Sequence, residues 1–187
     1  MKQYEIQLKG ASAMLMNRLG KDILDEVSKI KKDELPKWEE DNWEKKVYKD
    51  KDGNVILPEL VLRAVIIEAG KKHTSRCPKD IGRTWTNYLK SSVLITEPGV
   101  MDNIKMDAFG CMVNGNPSSG KGSSKVYKIR PRIEAGWTAK FIFTDLVERM
   151  SKEDIQGILE TAGKFVGVGD WRPMHGRFYV EYVKEIN

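Results

Sequence analysis

The chain has 187 residues, 40% hydrophobic and 32% charged, with 32 Lys and Arg against 27 Asp and Glu for a formal net charge of +5. This is the size of one domain with its own core, and so mild a basic excess permits a polyanionic partner without requiring one. The two cysteines, Cys77 and Cys111, have no Cys/His ligand spacing around them, no apolar run nears the roughly 18 residues of a membrane span, and MKQYEIQLKG carries no signal-like apolar region, so reduced thiols, no metal, no cofactor, no membrane and a cytoplasmic location are expected.

Tyr4, Ile6 and Leu8 alternate with polar residues up to Gly10, which predicts a half-buried strand. Leu15, Leu19, Ile23, Val27 and Ile30 recur at helical spacing. KKDELPKWEEDNWEKK is charge plus Trp38 and Trp43, a surface segment with a short helix starting at Pro36. Val47 and Tyr48 face residues 55–57 across Asp52-Gly53, a hairpin signal. Pro58 opens a helix with a broad apolar face through Leu60, Val61, Ala64, Val65 and Ile67, closed by Ala69-Gly70 and two lysines.

Residues 73–90 mix cations with Trp85 and Tyr88, and SSVLITEP reads as a short strand stopped by Pro98. Residues 99–124 read as a long irregular segment that includes the polar, mobile-looking NGNPSSGKGSS. Residues 126–146 alternate in two pieces around Glu134-Ala135-Gly136, as a bent strand or a hairpin. Ser151 to Asp154 has the form of a capping box, and Ile155, Ile158, Leu159 and Ala162 give the helix behind it a buried stripe that Gly163 ends. Phe178, Val180 and Tyr182 alternate with Tyr179, Glu181 and Val183 in a last strand.

The order is strand, helix, strand, strand, helix, strand. That is the α+β ferredoxin-like, or RRM-like, βαββαβ arrangement, an antiparallel sheet with both helices on one face and the other face left for a ligand. It makes the chain a single domain, residues 1–187, with insertions at about 11–50 and 99–125.

Two stretches add detail: ILPELVLRAVIIEAG, residues 56–70, and the glycine-rich GKFVGVGDWRPMHGRF between the last helix and the last strand. In both, and in the order of its elements, the chain resembles the RAMP superfamily of CRISPR-associated proteins, most of all the single-domain backbone subunit of effector complexes. The resemblance implies an RRM-like palm, a β-hairpin thumb inserted between the central strands where residues 99–125 lie, guide-RNA binding and head-to-tail assembly with other subunits. The chain departs from the family in having Asp170 and Trp171 within the glycine loop, and in being short, which also fits a divergent relative from a phage or mobile element.

Three basic segments are candidate nucleic-acid contacts. In the glycine loop, Gly167 and Gly169 can bring backbone N–H groups to a phosphate, Arg172 and Arg177 can grip it, and Trp171 and His175 can face a base; the competing reading is a tight turn with incidental charge. Lys121, Lys125, Lys128, Arg130 and Arg132 run without an acid, the last three on one strand face, as a backbone track or a solvated sheet face. Lys71, Lys72, Arg76 and Arg83 lie near Trp85 and Tyr88, which are either stacking platforms or core anchors. These residues point to a binding protein for single-stranded RNA or DNA, with RNA preferred. The alternatives are a metal-independent RAMP-type endoribonuclease using His73 or His175, and a structural protein whose Trp38 and Trp43 anchor a partner.

Overall fold

The computed structural model describes residues 1–75, 77, 84–114 and 125–186. Arg76, Arg83 and Lys121 of the candidate contacts therefore lie outside the described residues.

The main sheet holds β1 (Lys2–Gly10), β3 (Ile56–Leu57), β5 (Gly99–Asp102), β8 (Thr138–Asp145) and β9 (Phe178–Glu185) in the order β3-β5-β8-β1-β9, with β4 (Val93–Leu94) also paired to β8. All these pairings are antiparallel. With α3 (Glu59–Lys72) and α5 (Lys152–Phe165) as crossovers, β1, β5, β8 and β9 form the ferredoxin-like core. Tyr4, Ile6 and Leu8 of β1 and Ala139, Phe141 and Phe143 of β8 turn inward to meet Leu62, Val65, Ile66 and Ala69 of α3 and the predicted stripe of α5. The capping box at Ser151 is formed: its hydroxyl accepts from the Asp154 N–H, while the Asp154 carboxylate accepts from the Ser151 N–H.

Several expectations are corrected by packing. The inward face of α3 is set by Leu62, Val65, Ile66 and Ala69, and Leu60 is exposed. The helical spacing across residues 15–30 is realised in part: α1 spans Lys21–Val27, with Ile23 its one buried residue, while Met14–Leu15 is β2, held in a second sheet. Trp85–Ser92 is a helix, α4, and both Trp85 and Tyr88 are core anchors. Residues 99–114 are not irregular: β5 joins the core, and β6 (Met106–Asn114) pairs along its whole length with β7 (Lys125–Ile133). The pieces on either side of Glu134-Ala135-Gly136 are thus neither a hairpin nor one bent strand; β7 and β8 belong to different sheets. In β9 a bulge against Gln7/Leu8 moves Val183 inward and leaves Tyr182 opposite Gln7 on the open face.

The second sheet, β2-β7-β6, is thus an inserted hairpin, Met106–Ile133, joined by a strand from the N-terminal insertion. Beyond the short β2, the edge of β7 would leave polar groups unpaired. Two side chains close it. From α2 (Leu35–Asn42), buried Glu39 accepts the Ile129 N–H at 3.0 Å, and buried Lys46 donates to the Ile129 carbonyl at 3.0 Å. The two also form an ion pair, and Lys128 Nζ reaches the other Glu39 oxygen at 3.1 Å.

Burial alone would raise the Glu39 carboxyl, but the Lys46 ammonium, the Ile129 N–H and the Lys128 ammonium outweigh it and hold the group below its ordinary value of 4.5. A depressed carboxyl stabilises the fold fully above its unfolded value and loses that contribution as pH falls through the lower folded one. Glu39→Ala, which strands Lys46, is expected to cost about 3–5 kcal/mol in urea unfolding, and Glu39→Leu with Lys46→Met to recover most of it. The same double variant should lose less stability than the wild type on acidification below about pH 4.5; equal acid profiles would remove Glu39 as a contributor.

Candidate nucleic-acid interface

Alternation along β7 places Lys128, Arg130 and Arg132 on one face, with Ile129 and Ile133 buried on the other. The expected row of cations is therefore real, but each member has a carboxylate. Lys128 pairs with Glu39, Arg130 Nε with Asp170 Oδ2 at 2.9 Å, and Arg132 Nε with its cross-strand neighbour Asp107 at 2.8 Å. Lys125 is exposed at the start of the strand. As a phosphate track the row is largely neutralised within the chain. Asp107 and Glu39 were not read as its partners because neither is near β7 in sequence.

The glycine loop docks on the small sheet. Asp170 bridges to Leu15 of β2, with its N–H donating to the Leu15 carbonyl at 2.7 Å. The N–H of Gly167 goes to the Ala162 carbonyl, and that of Gly176 to the Ala13 carbonyl, both at 2.8 Å. The phosphate-cradle role expected of the Gly167 N–H is therefore corrected: that group is buried and engaged by backbone. Close threading explains the glycines instead. A Cβ at Gly169 would lie 2.4 Å from the Leu15 carbonyl, and one at Gly176, where φ is +75°, 1.7 Å from the Val168 carbonyl.

What the loop offers outward is the segment 171–177. Arg172 is exposed, its guanidinium 4.0 Å from the Glu68 carboxylate, and Arg177 is exposed with Nε on the Pro173 carbonyl at 3.0 Å. Trp171 and Arg172 line a groove of about 440 Å³ with Gly169, Lys72, Glu68 and Phe165. Lys71 is exposed beside Lys72 at the end of α3. On the other side the Trp171 ring faces His175 at 6.3 Å, His175 faces Phe109 of β6 edge-on at 5.9 Å, and the Arg132 guanidinium lies over Phe109 at 5.2 Å. The result is a half-buried ladder of cation and rings running from the hairpin to the glycine loop. Phe109 was missed in the sequence because its strand was; the alternation of MDAFGCMV was the signal.

Two expected contributors stand elsewhere. His73 is wedged between Thr161 Oγ1, 2.9 Å from Nδ1, and Ser75 Oγ, 2.6 Å from Nε2, against the Trp85 ring. Burial lowers its pKa against a smaller opposing pull from Asp154. The open face of the main sheet carries Glu5, Asp102 and Glu181 beside Lys9 and Lys140, with Lys9 on Glu181 and the Tyr182 hydroxyl on Glu5, and it is not a basic track. Trp38 lies under the Lys45 and Lys46 ammonium groups, about 6.0 and 5.9 Å from its ring, and so is engaged within the chain.

No family model matches the chain, and no curated protein does. Solved structures do. A chain in the cryo-EM structure of the type III-B Cmr-beta complex bound to cognate target RNA aligns with a TM-score of 0.57 at 9% identity, over 100% of this chain and 61% of that one. Cmr6 from Pyrococcus furiosus aligns at 0.51 and 8% identity, over 95% of this chain and 97% of its own length. The chain shares its fold with these two structures. This chain spans about three-fifths of the length of the Cmr-beta neighbour.

In chain order the β6–β7 hairpin comes between core strands β5 and β8, and the glycine loop between α5 and β9. Only Gly fits where the loop crosses itself. Gly176→Ala is expected to cost at least the 1–3 kcal/mol of a forced backbone conformation, and to do so more than Gly53→Ala, whose surroundings are open. Urea unfolding checks this; equal stability of the two variants would mean that the crossing is not tight.

Proposed function

We propose that this chain is a RAMP subunit that binds single-stranded nucleic acid, RNA in preference, along the junction of the β6–β7 hairpin and the glycine loop. The observation that carries this reading is the ladder Arg132, Phe109, His175, Trp171 beside a groove edged by Lys72 and Arg172. Stacking platforms next to a few exposed cations suit an unpaired strand, whose bases present π-faces and whose phosphates follow alongside. The fold shared with a protein solved on target RNA supports the same reading. Copies and other effector-complex subunits follow one another head-to-tail along the strand, a heterologous contact for which the outer edge of β9, unpaired among the described residues, is available.

Because Arg130 and Arg132 are paired with Asp170 and Asp107, and Lys128 shares Glu39 with Lys46, stacking rather than phosphate charge supplies most of the affinity. Lys72, Lys125, Arg172 and Arg177, at about 0.7 each, give a slope of log affinity on log salt near −3. Trp171→Ala should weaken binding of a single-stranded RNA oligonucleotide by roughly 5–150-fold with the slope unchanged, the cost of about 1–3 kcal/mol for a lost stack. Arg172→Ala should instead flatten the slope by about 0.7. Fluorescence anisotropy across a salt series reads both. Absence of binding, or a Trp171→Ala variant that binds as the wild type does, would overturn the proposal.

A further inference from the structure

Two carboxylates, Glu68 and Asp170, line the Trp171 groove together with the cations Lys72 and Arg172. Asp170 is committed to the fold: its carboxylate holds Arg130 Nε at 2.9 Å and accepts the Trp171 N–H at 3.1 Å. Glu68 is held far more loosely. Its carboxylate lies 4.0 Å from the Arg172 guanidinium, outside hydrogen-bond distance, and its side chain is 45% exposed. So open a pair adds little to stability. Glu68 and Lys72 are four residues apart on α3, a spacing that makes side chains neighbours on the helix surface. Glu68 therefore stands beside both cations that edge the groove. A negative charge there repels the phosphates those cations would hold, and a groove that gripped phosphate alone would be better served by a neutral residue.

The chemistry of a strand decides what can offset that repulsion. An ionised carboxylate only accepts hydrogen bonds. The phosphates of a strand also only accept, and a deoxyribose within a strand has no donor. The ribose 2′-hydroxyl is the one donor on a sugar–phosphate backbone, and it is the group that tells RNA from DNA. Base donors sit on base edges, and the bases belong with the rings of the ladder; beside cations that hold successive phosphates lies the sugar that links them. We propose that Glu68 is the residue by which this chain selects RNA over DNA, its carboxylate accepting the 2′-hydroxyl of the ribose whose phosphates lie on Lys72 and Arg172. The proposal rests on the reading of the chain as a single-strand binder, and it names the group behind the preference for RNA. A ribose supplies the donor. A deoxyribose leaves the carboxylate facing phosphates with nothing to accept, the mismatch by which polar sites reject an analogue that lacks a hydroxyl.

The test is fluorescence anisotropy with the full chain and single-stranded oligonucleotides of one sequence, free of uracil and thymine, made with ribose, deoxyribose or 2′-fluororibose. The fluoro sugar keeps a ribose-like pucker without the donor, so it separates hydrogen bonding from backbone shape. The ribose strand is expected to bind about tenfold or more tighter than either of the others, the scale of one hydrogen bond to a charged group. Glu68→Ala, at a partly exposed helical position that alanine suits, should bring the three affinities together, weakening the ribose strand and tightening the other two. Equal binding of ribose and fluoro strands by the wild type overturns the assignment. So does a Glu68→Ala variant that keeps the sugar preference, or one that changes discrimination among oligonucleotides of different base composition and not among sugars. Binding without a sugar preference removes the role of Glu68 alone, whereas failure of the wild type to bind any strand removes the single-strand reading and the assignment with it.

Discussion

The hairpin half of this molecule depends on one buried carboxylate. A two-residue strand, β2, cannot pair the nine-residue β7, so the rest of that edge must be closed by something else. Glu39 and Lys46 close it by taking both polar groups of Ile129 and by neutralising each other. Two ions are costly to desolvate, and the pair persists because every partner is present: two ammonium groups and an amide for the carboxylate, a carboxylate and a carbonyl for Lys46. The pairing fixes the N-terminal insertion to the hairpin. It thereby sets where Arg130 meets Asp170 and where Phe109, across the hairpin from Arg130, meets His175.

The same pairing changes how the surface works. A basic strand face is an electrostatic track only while its charges are open to a ligand. Here two cations are used to position carboxylates and rings: Arg132, held by Asp107, lies over Phe109, and Arg130 orients Asp170, which in turn orients the glycine loop. Charge becomes scaffold, and what the surface leaves open is the aromatic ladder with exposed cations at its ends.

Much of the core was legible. β1, α3, the capping box of α5 and β9 are local patterns of period two or 3.6, and their order gives the ferredoxin-like topology. The missed elements had their signals masked by composition. β5 follows Pro98 and begins at Gly99, β6 is broken by Asp107 and Gly110, and α4 carries Trp85, Tyr88 and Leu89 on one face of an otherwise polar segment. The site was legible as a set of residue types and not as an arrangement. That Arg130 would find Asp170, or Phe109 His175, depends on the hairpin folding over the loop, and no local spacing encodes it.

The glycine loop shows how a motif can be read correctly in place and wrongly in mechanism. Its glycines are dictated by backbone crossing backbone, and the amides of Gly167 and Gly176 bond to the Ala162 and Ala13 carbonyls within the chain. The conformational strain sits beside them, on Trp171, a bulky residue at φ +55°. Such a geometry costs on the order of 1–3 kcal/mol and survives only where its surroundings enforce it. The enforcement is visible: Asp170 accepts the Trp171 N–H at 3.1 Å, and is itself fixed by Arg130 and by Leu15. A turn needing no more than a reversal of direction would place glycine there. Holding tryptophan in that conformation, with its ring toward His175 and the groove edged by Lys72, makes sense if the ring is what the loop exists to present.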